Sequence, residues 1–230
     1  MDWIRLIYRP LLTRAARRVL VARARSRHAP ERGRFTRAEI DEYLSTAWNY
    51  YGERVGNLTP QPTIGSTMNV RLACFTMSFF DALQAKGIER AYAIELIADA
   101  AWQIYRQWAR IALAITRLTP RSRRALGFAK INGRAGSISL RFPFNAPGYL
   151  IDTVHTDGDV AFDVVRCPIA DYFRERRAAD LCIASWCNLD YALAELAGDK
   201  LVRTKTIVGG DDRCDFRLRN YAQSPLLAHR

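Results

Sequence analysis

Hydrophobic positions change period near residue 120. Before it they recur every three or four residues; after it they alternate in short runs. Ile4, Ile7, Leu11, Ala15 and Val19 share helical spacing, which predicts an amphipathic N-terminal helix. Arg5, Arg9, Arg14, Arg17 and Arg18 mostly fall off that face, and Pro10 begins or kinks the helix. "SRHAPERGRF" (26–35) predicts a linker broken at Pro30 and Gly33. Thr36 with Glu39 forms a capping-box signature for a helix over 37–54. A Gly/Pro/Asn-rich loop (56–69) leads to a helix over 67–86 that stops at Gly87. A third helix spans 88–117, and its stripe of Ile94, Ile97, Ala101, Ile104, Trp108, Ile111 and Ile115 reads as core.

Past Pro120, "RSRRALGFAKINGRAG" is basic and irregular. "SISLRF" and "GYLIDTVHT" alternate as strands, "DGD" (157–159) signals a hairpin, and "VAFDVVRC" returns as its partner. Pro168 opens a helix as an N1 proline, and a further helix spans 179–197. "KLVRTKTIV", a "GGDD" turn and "RCDFRLR" predict a second hairpin. The order helices, hairpin, helices, hairpin predicts an α+β fold: N-terminal helices packed with an antiparallel sheet built from two hairpins separated by helices. The expected organisation is a basic arm and linker at 1–35, one α+β domain at 36–222 (helical over 36–120, sheet-containing over 121–222) and a tail at 223–230.

Charge sharpens that division. The chain carries +12 over 230 residues, yet residues 1–37 hold eleven arginines against Asp2 and Glu31, leaving only +3 elsewhere. An Arg-rich amphipathic arm is suited to peripheral contact with an anionic membrane through residues 1–27. Nucleic acid is disfavoured: there is no zinc-finger spacing, no RRM core motif and little net charge outside the arm. No run of about 18 apolar residues predicts a membrane span. The start "MDWIRLIYRP" lacks a secretory pattern, so the expected location is cytoplasmic, with membrane association through the arm.

Five cysteines in a reducing compartment point to free or metal-bound thiols. Cys74 and Cys182 read as small buried hydrophobes. Cys167 precedes a helix N-terminus, where a thiolate is favoured. Cys187 and Asp190, three apart, share a helix face, whereas Cys182, five before Cys187, lies roughly 140° away on an α-helix. Cys214 sits on the last strand with Asp215 and Arg217 on the opposite face. Cys167, Cys187 and Cys214 are candidate metal ligands, although the C-x2-C pairing of zinc sites is missing. Of His28, His155 and His229, only His155 lies within the predicted fold, near the first hairpin turn.

Two segments carry a family resemblance. One is "PTIGSTMNVRLACFTMSFFDALQAKGIERAYAIELIADAAW" (62–102). The other is "FDVVRCPIADYFRERRAADLCIASWCNLDYALAE" followed by "LVRTKTIVGGDDRCDFRL". Together they resemble the L-2-amino-thiazoline-4-carboxylic acid hydrolase family over about residues 40–219. Asn69, Cys167, Pro168, Cys187, Asp190, Arg203, Thr206, Cys214, Asp215 and Arg217 fall on its pattern. The chain departs at "FRERRAADL", where a glycine after the arginines is more usual, and in the density of its Arg-rich arm. The resemblance implies a small-molecule hydrolase that opens a cyclic, amidine-like C–N bond and yields a carbamoylated cysteine-type product. Asp190, Cys187 and Cys214 would then be catalytic, with Asp190 as base. Asn69, Arg217, Asp215 and His155 would contact substrate, Arg217 through its carboxylate. A divalent metal such as zinc or manganese is a candidate cofactor on the three thiols, and a homo-oligomer a candidate assembly. The competing expectation is a non-catalytic ligand- or metal-binding module whose basic arm associates with a membrane or partner.

Overall fold

The computed structural model describes residues 3–118, 146–155, 160–196 and 199–220. The expected strand "SISLRF", the basic stretch before it, the "DGD" turn, Gly198, His229 and the tail lie outside the described residues. The described elements are α1 (Trp3–Ala22), α2 (Arg37–Val55), α3 (Ile64–Ala85), α4 (Arg90–Leu118), β1 (Leu150–Val154), β2 (Val160–Arg166), α5 (Pro168–Glu175), α6 (Ala179–Cys182), α7 (Leu189–Leu196), β3 (Asp199–Val202) and β4 (Cys214–Asn220). A π-helical turn, Ile183–Cys187, joins α6 to α7, and short 3₁₀ turns lie at Pro30–Arg32 and Ile207–Gly209.

Local sequence explains the helix ends. Thr36 closes the expected capping box with Glu39, which also takes hydrogen bonds from Arg25; these hold its carboxyl down at about 2. α3 begins three residues earlier than its apolar pattern suggests, because Thr63 and Ser66 form a second capping box. It stops at Gly87 (φ +76°), which lets Gly87 and Ile88 donate back to Gln84 and Leu83. In α4, Ile97 is buried, while Ile94, Ala101 and Ile104 are partly covered. The side chains of Trp108, Ile111 and Ile115 lie outside the described residues.

The N-terminal arm is not a separate unit. α1 packs on α4 and α2, with Ile4, Ala16, Val19 and Leu20 inside the main core. Trp48 Nε1 donates to Thr13 at 3.1 Å, and Arg17, Arg23, Arg25 and Arg27 pair with acids on α2 and α4. Residues on both sides of the expected boundary at 35 contribute to that core. The apolar stripe of residues 1–27, expected to meet a membrane, is consumed by the helical layer. Ile7 departs from the expected face and is 60% exposed, because that face centres between Ile4 and Tyr8. The helix continues through Pro10, which sits on its exposed side.

The α+β expectation is met by a four-stranded antiparallel sheet in the order β1-β2-β4-β3. Each expected hairpin pairs internally, and β2 with β4 joins the two. Val164 faces Cys214 and Phe162 faces Phe216 across that seam, and the two phenyl rings stack at 4.8 Å. Among the described residues no helix is long and apolar enough to cross a membrane.

Candidate functional site

The π-helical turn decides the geometry. Asn188 N–H donates to Ile183 C=O at 2.8 Å, five residues back, and Ser185 Oγ to Leu181 C=O at 2.6 Å. An α-helix would set Cys182 and Cys187 apart, but five-residue periodicity returns them to one face. The closeness of their thiols raises Cys182 and draws Cys187 below its ordinary value. The Cys182 thiol leads in lowering it; burial and Asp190 oppose, while Arg203 assists. The expectation that Cys182 points elsewhere is thus overturned, because it presumed an unbroken α-helix.

Asp190, in the first turn of α7, meets Arg203, just past β3. Arg203 Nη1 donates to Asp190 Oδ2 at 2.9 Å and Nη2 to Cys187 C=O at 2.9 Å. Its guanidinium lies 5.0 Å from the Tyr191 ring centroid and 5.1 Å from that of Phe216, with the side chain only 2% exposed. Asp190 keeps 37% of its side-chain area accessible, yet protein surrounds it closely enough that burial pushes its carboxyl up to about 6, against the pull of Arg203. Asp190 is thus partly accessible at its edge and otherwise closely surrounded by protein.

Tyr105 of α4 lies near Asp190, Cys187 and Cys182. Burial, followed by the charges of Asp190, Cys187 and Cys182, keeps its phenol protonated. Asn69 Nδ2 donates to Tyr149 Oη at 3.1 Å. Burial and nearby Cys167 likewise raise Tyr149, opposed by the Asn69 bond. Cys167 is pushed up to about 12 by burial, although it stands beside the Ile169 and Ala170 amides at the start of α5. Burial therefore outweighs the helix N-terminus, and Cys167 is a thiol rather than the expected thiolate. Cys214, also raised by burial, accepts from Ile207 N–H at 3.3 Å and feels the charge of Cys187.

The other expected ligands part from this group. Asp215 accepts from Thr204 N–H (2.8 Å), Thr204 Oγ1 (2.7 Å) and Lys205 N–H (2.6 Å), so it shapes the loop after β3. Arg217 Nη1 donates to Phe162 C=O at 3.0 Å and pairs with Asp163 at 2.8 Å, so this group is turned to the sheet. His155 is exposed beyond Val154, and the β1–β2–β4 register puts it at the opposite end of the sheet from Cys167 and Cys214. Cys167, Cys187 and Cys214 are the expected metal set. Among the described residues no three His, Cys, Asp or Glu side chains gather in a way that could hold an ion. A cavity of about 420 Å³ between the α2–α3 loop and α5 is lined by residues including Gln61, Arg166, Tyr172 and Arg174; neither the thiols nor Asp190 line it.

Sequence reasoning missed Tyr105, Tyr149 and Cys182 as neighbours of the pair, and placed Arg203 on the family pattern without a role in the site. Tyr105 could have been noticed as a polar tip beside Ile104 on an otherwise aliphatic stripe. No curated protein and no solved structure matches the chain. The sequence profile described as L-2-amino-thiazoline-4-carboxylic acid hydrolase matches residues 70–218, the stretch that supplies Tyr105, Tyr149, the four clustered thiols, Asp190 and Arg203. By that match the chain belongs to the L-2-amino-thiazoline-4-carboxylic acid hydrolase family.

Proposed function

We propose that this chain hydrolyses a small cyclic substrate of the thiazoline-carboxylate class, with Cys187 and Asp190 as the working pair. The observation that carries the reading is the π turn, which sets a thiol of lowered pKa beside a recessed carboxyl that titrates near pH 6. A group with that value exchanges protons in both directions near neutrality. In the proposed path the Asp190 carboxylate takes the Cys187 proton as the sulfur adds to the amidine carbon, and hands it to the ring heteroatom that leaves. Asp190 then takes a proton from the water that releases the enzyme thiol. The balance is one water added and one ring bond broken. Scission of C–N frees an amine and scission of C–S frees a thiol. Tyr105 and Tyr149, both kept protonated, supply hydrogen-bond donors beside the pair.

The test is turnover of L-2-amino-thiazoline-4-carboxylate by the purified chain, followed by loss of substrate and by amine and thiol reagents that identify the bond. Cys187→Ala should abolish it, and Asp190→Asn should lower it about 10²–10⁴-fold. A wild-type chain that binds the compound saturably but leaves it and other cyclic amidines intact would refute catalysis and support the binding-module reading.

A further inference from the structure

We propose that Arg203 is the positioning residue of this site: it clamps the break between the π turn and α7 and so fixes Cys187 against Asp190. The clamp stands on geometry; its consequence for turnover rests on the hydrolase reading. One guanidinium reaches both sides of the break, with 2.9 Å contacts to the last carbonyl of the π turn and to a carboxylate in the first turn of α7. That carbonyl lies at the negative end of the α6–π segment, where a cation is favoured. Tyr191 and Phe216 flank the guanidinium, and Tyr191 Oη donates to the Arg203 carbonyl at 3.1 Å, so backbone and side chain are both held. Only a planar fork can lie between two rings and donate in two directions; a lysine ammonium can keep the charge but not that geometry. Arg203 Nε is buried without a hydrogen-bond partner, a cost expected where placement matters more than local stability. The groups near Asp190 are Arg203, Tyr105, Cys187 and Cys214; those near Cys187 are Cys182, Cys167, Cys214, Tyr105, Asp190 and Arg203. Among these, Arg203 is the sole cation.

Arg203→Gln and Arg203→Lys test the clamp. In Arg203→Gln, kcat should fall about 100-fold, the loss typical of a misplaced catalytic group, with KM within about threefold. The acid limb of its pH–rate profile should move to higher pH, because the cation that favours the Asp190 carboxylate is gone. Arg203→Lys should restore that limb but not the rate. Without substrate, iodoacetamide labelling of Cys187 at pH 7, read by peptide mass spectrometry, should slow in Arg203→Gln. This readout remains valid if the chain turns over no cyclic amidine, so the two readings can fail separately. Wild-type kcat and labelling in both variants would overturn the proposal. So would an Arg203→Gln protein that loses stability with limb and labelling unmoved, which is the mark of a purely structural residue. If Arg203→Gln does not fold, unimpaired kcat and labelling in Arg203→Lys overturn it.

Discussion

Leu20→Ala distinguishes an integral α1 from a detachable arm. Leu20 is fully buried, in a core shared with α2, α3 and α4. Truncating such a leucine costs about 2–5 kcal/mol through lost transfer energy and the cavity left behind. For a chain of this size, each kcal/mol lowers the thermal midpoint by about 2–4 °C, so a drop of about 5–15 °C is expected. Leu6→Ala is the control: Leu6 is 72% exposed, and its loss should stay within about 0.5 kcal/mol. Deleting residues 1–22 removes Ile4, Val19 and Leu20 together, each worth about 1.5–3 kcal/mol. The sum rivals the whole stability of a typical domain, about 5–15 kcal/mol, and cooperative unfolding should disappear. The assay is thermal and urea unfolding followed by circular dichroism. Equal midpoints for Leu20→Ala and Leu6→Ala, or a truncated chain that unfolds like the full one, would refute the packing argument.

Further expectations concern the site and its loop. Asp190→Asn should lower turnover about 10²–10⁴-fold and erase the limb near pH 6, as read from initial rates between pH 4.5 and 8. Because the folded carboxyl is raised, its stabilising contribution is full below the unfolded value and is lost as pH rises through about 6. The stability of wild type relative to Asp190→Asn should therefore decline between pH 5 and 7 in urea titrations, and a rising difference would contradict the assignment. Asp215→Asn should cost about 1–3 kcal/mol and spare the rate constant, since it weakens the bonds from Thr204 and Lys205. The Asp215 carboxyl is lowered; burial opposes the shift and those hydrogen bonds drive it. Its contribution is thus present above the unfolded value and lost as pH falls below it, so the Asp215→Asn deficit should shrink on acidification. Cys182→Ala removes the thiol beside Cys187 that lowers it and should slow iodoacetamide labelling of Cys187 at pH 7; unchanged labelling would show that the thiol pair does not set its reactivity.

Most of the fold could be read because its signals are local. The Thr36–Glu39 box, Gly87, Pro168 and the alternation in "VAFDVVRC" each act within a few residues, and each lies where the pattern put it. Even the split across β4, with Cys214 and Phe216 on one face and Asp215 and Arg217 on the other, follows from a period of two. The arm misled for the opposite reason. A charge of +9 in 37 residues looks like a separate unit, but whether a basic helix docks depends on acids elsewhere in the chain. Asp41, Glu95 and Asp99 lie 24 to 76 residues from the arginines they meet, and no window short enough to show a helix contains both.

The site failed at a single step of helical register, and the consequences spread from there. With 3.6 residues per turn, Cys187 and Asp190 are partners and Cys182 is a bystander; the sequence "CIASWCNLD" contains no proline or glycine to mark a break. Tertiary contacts surround the π turn. α4 presses on the turn from one side, and Arg203 gathers the Cys187 carbonyl and Asp190 from the other. Once one extra residue is accommodated, the apolar helix face becomes a thiol pair, and a cation 16 residues downstream becomes its nearest positive charge. Arg217, the arginine chosen from sequence to meet a carboxylate, is instead satisfied by Asp163 on the neighbouring strand. Two arginines on the same family pattern thus end at different carboxylates of the chain, Arg203 at Asp190 and Arg217 at Asp163. What separates them is the carbonyl each can reach, and that depends on a helix register no residue in the segment announces.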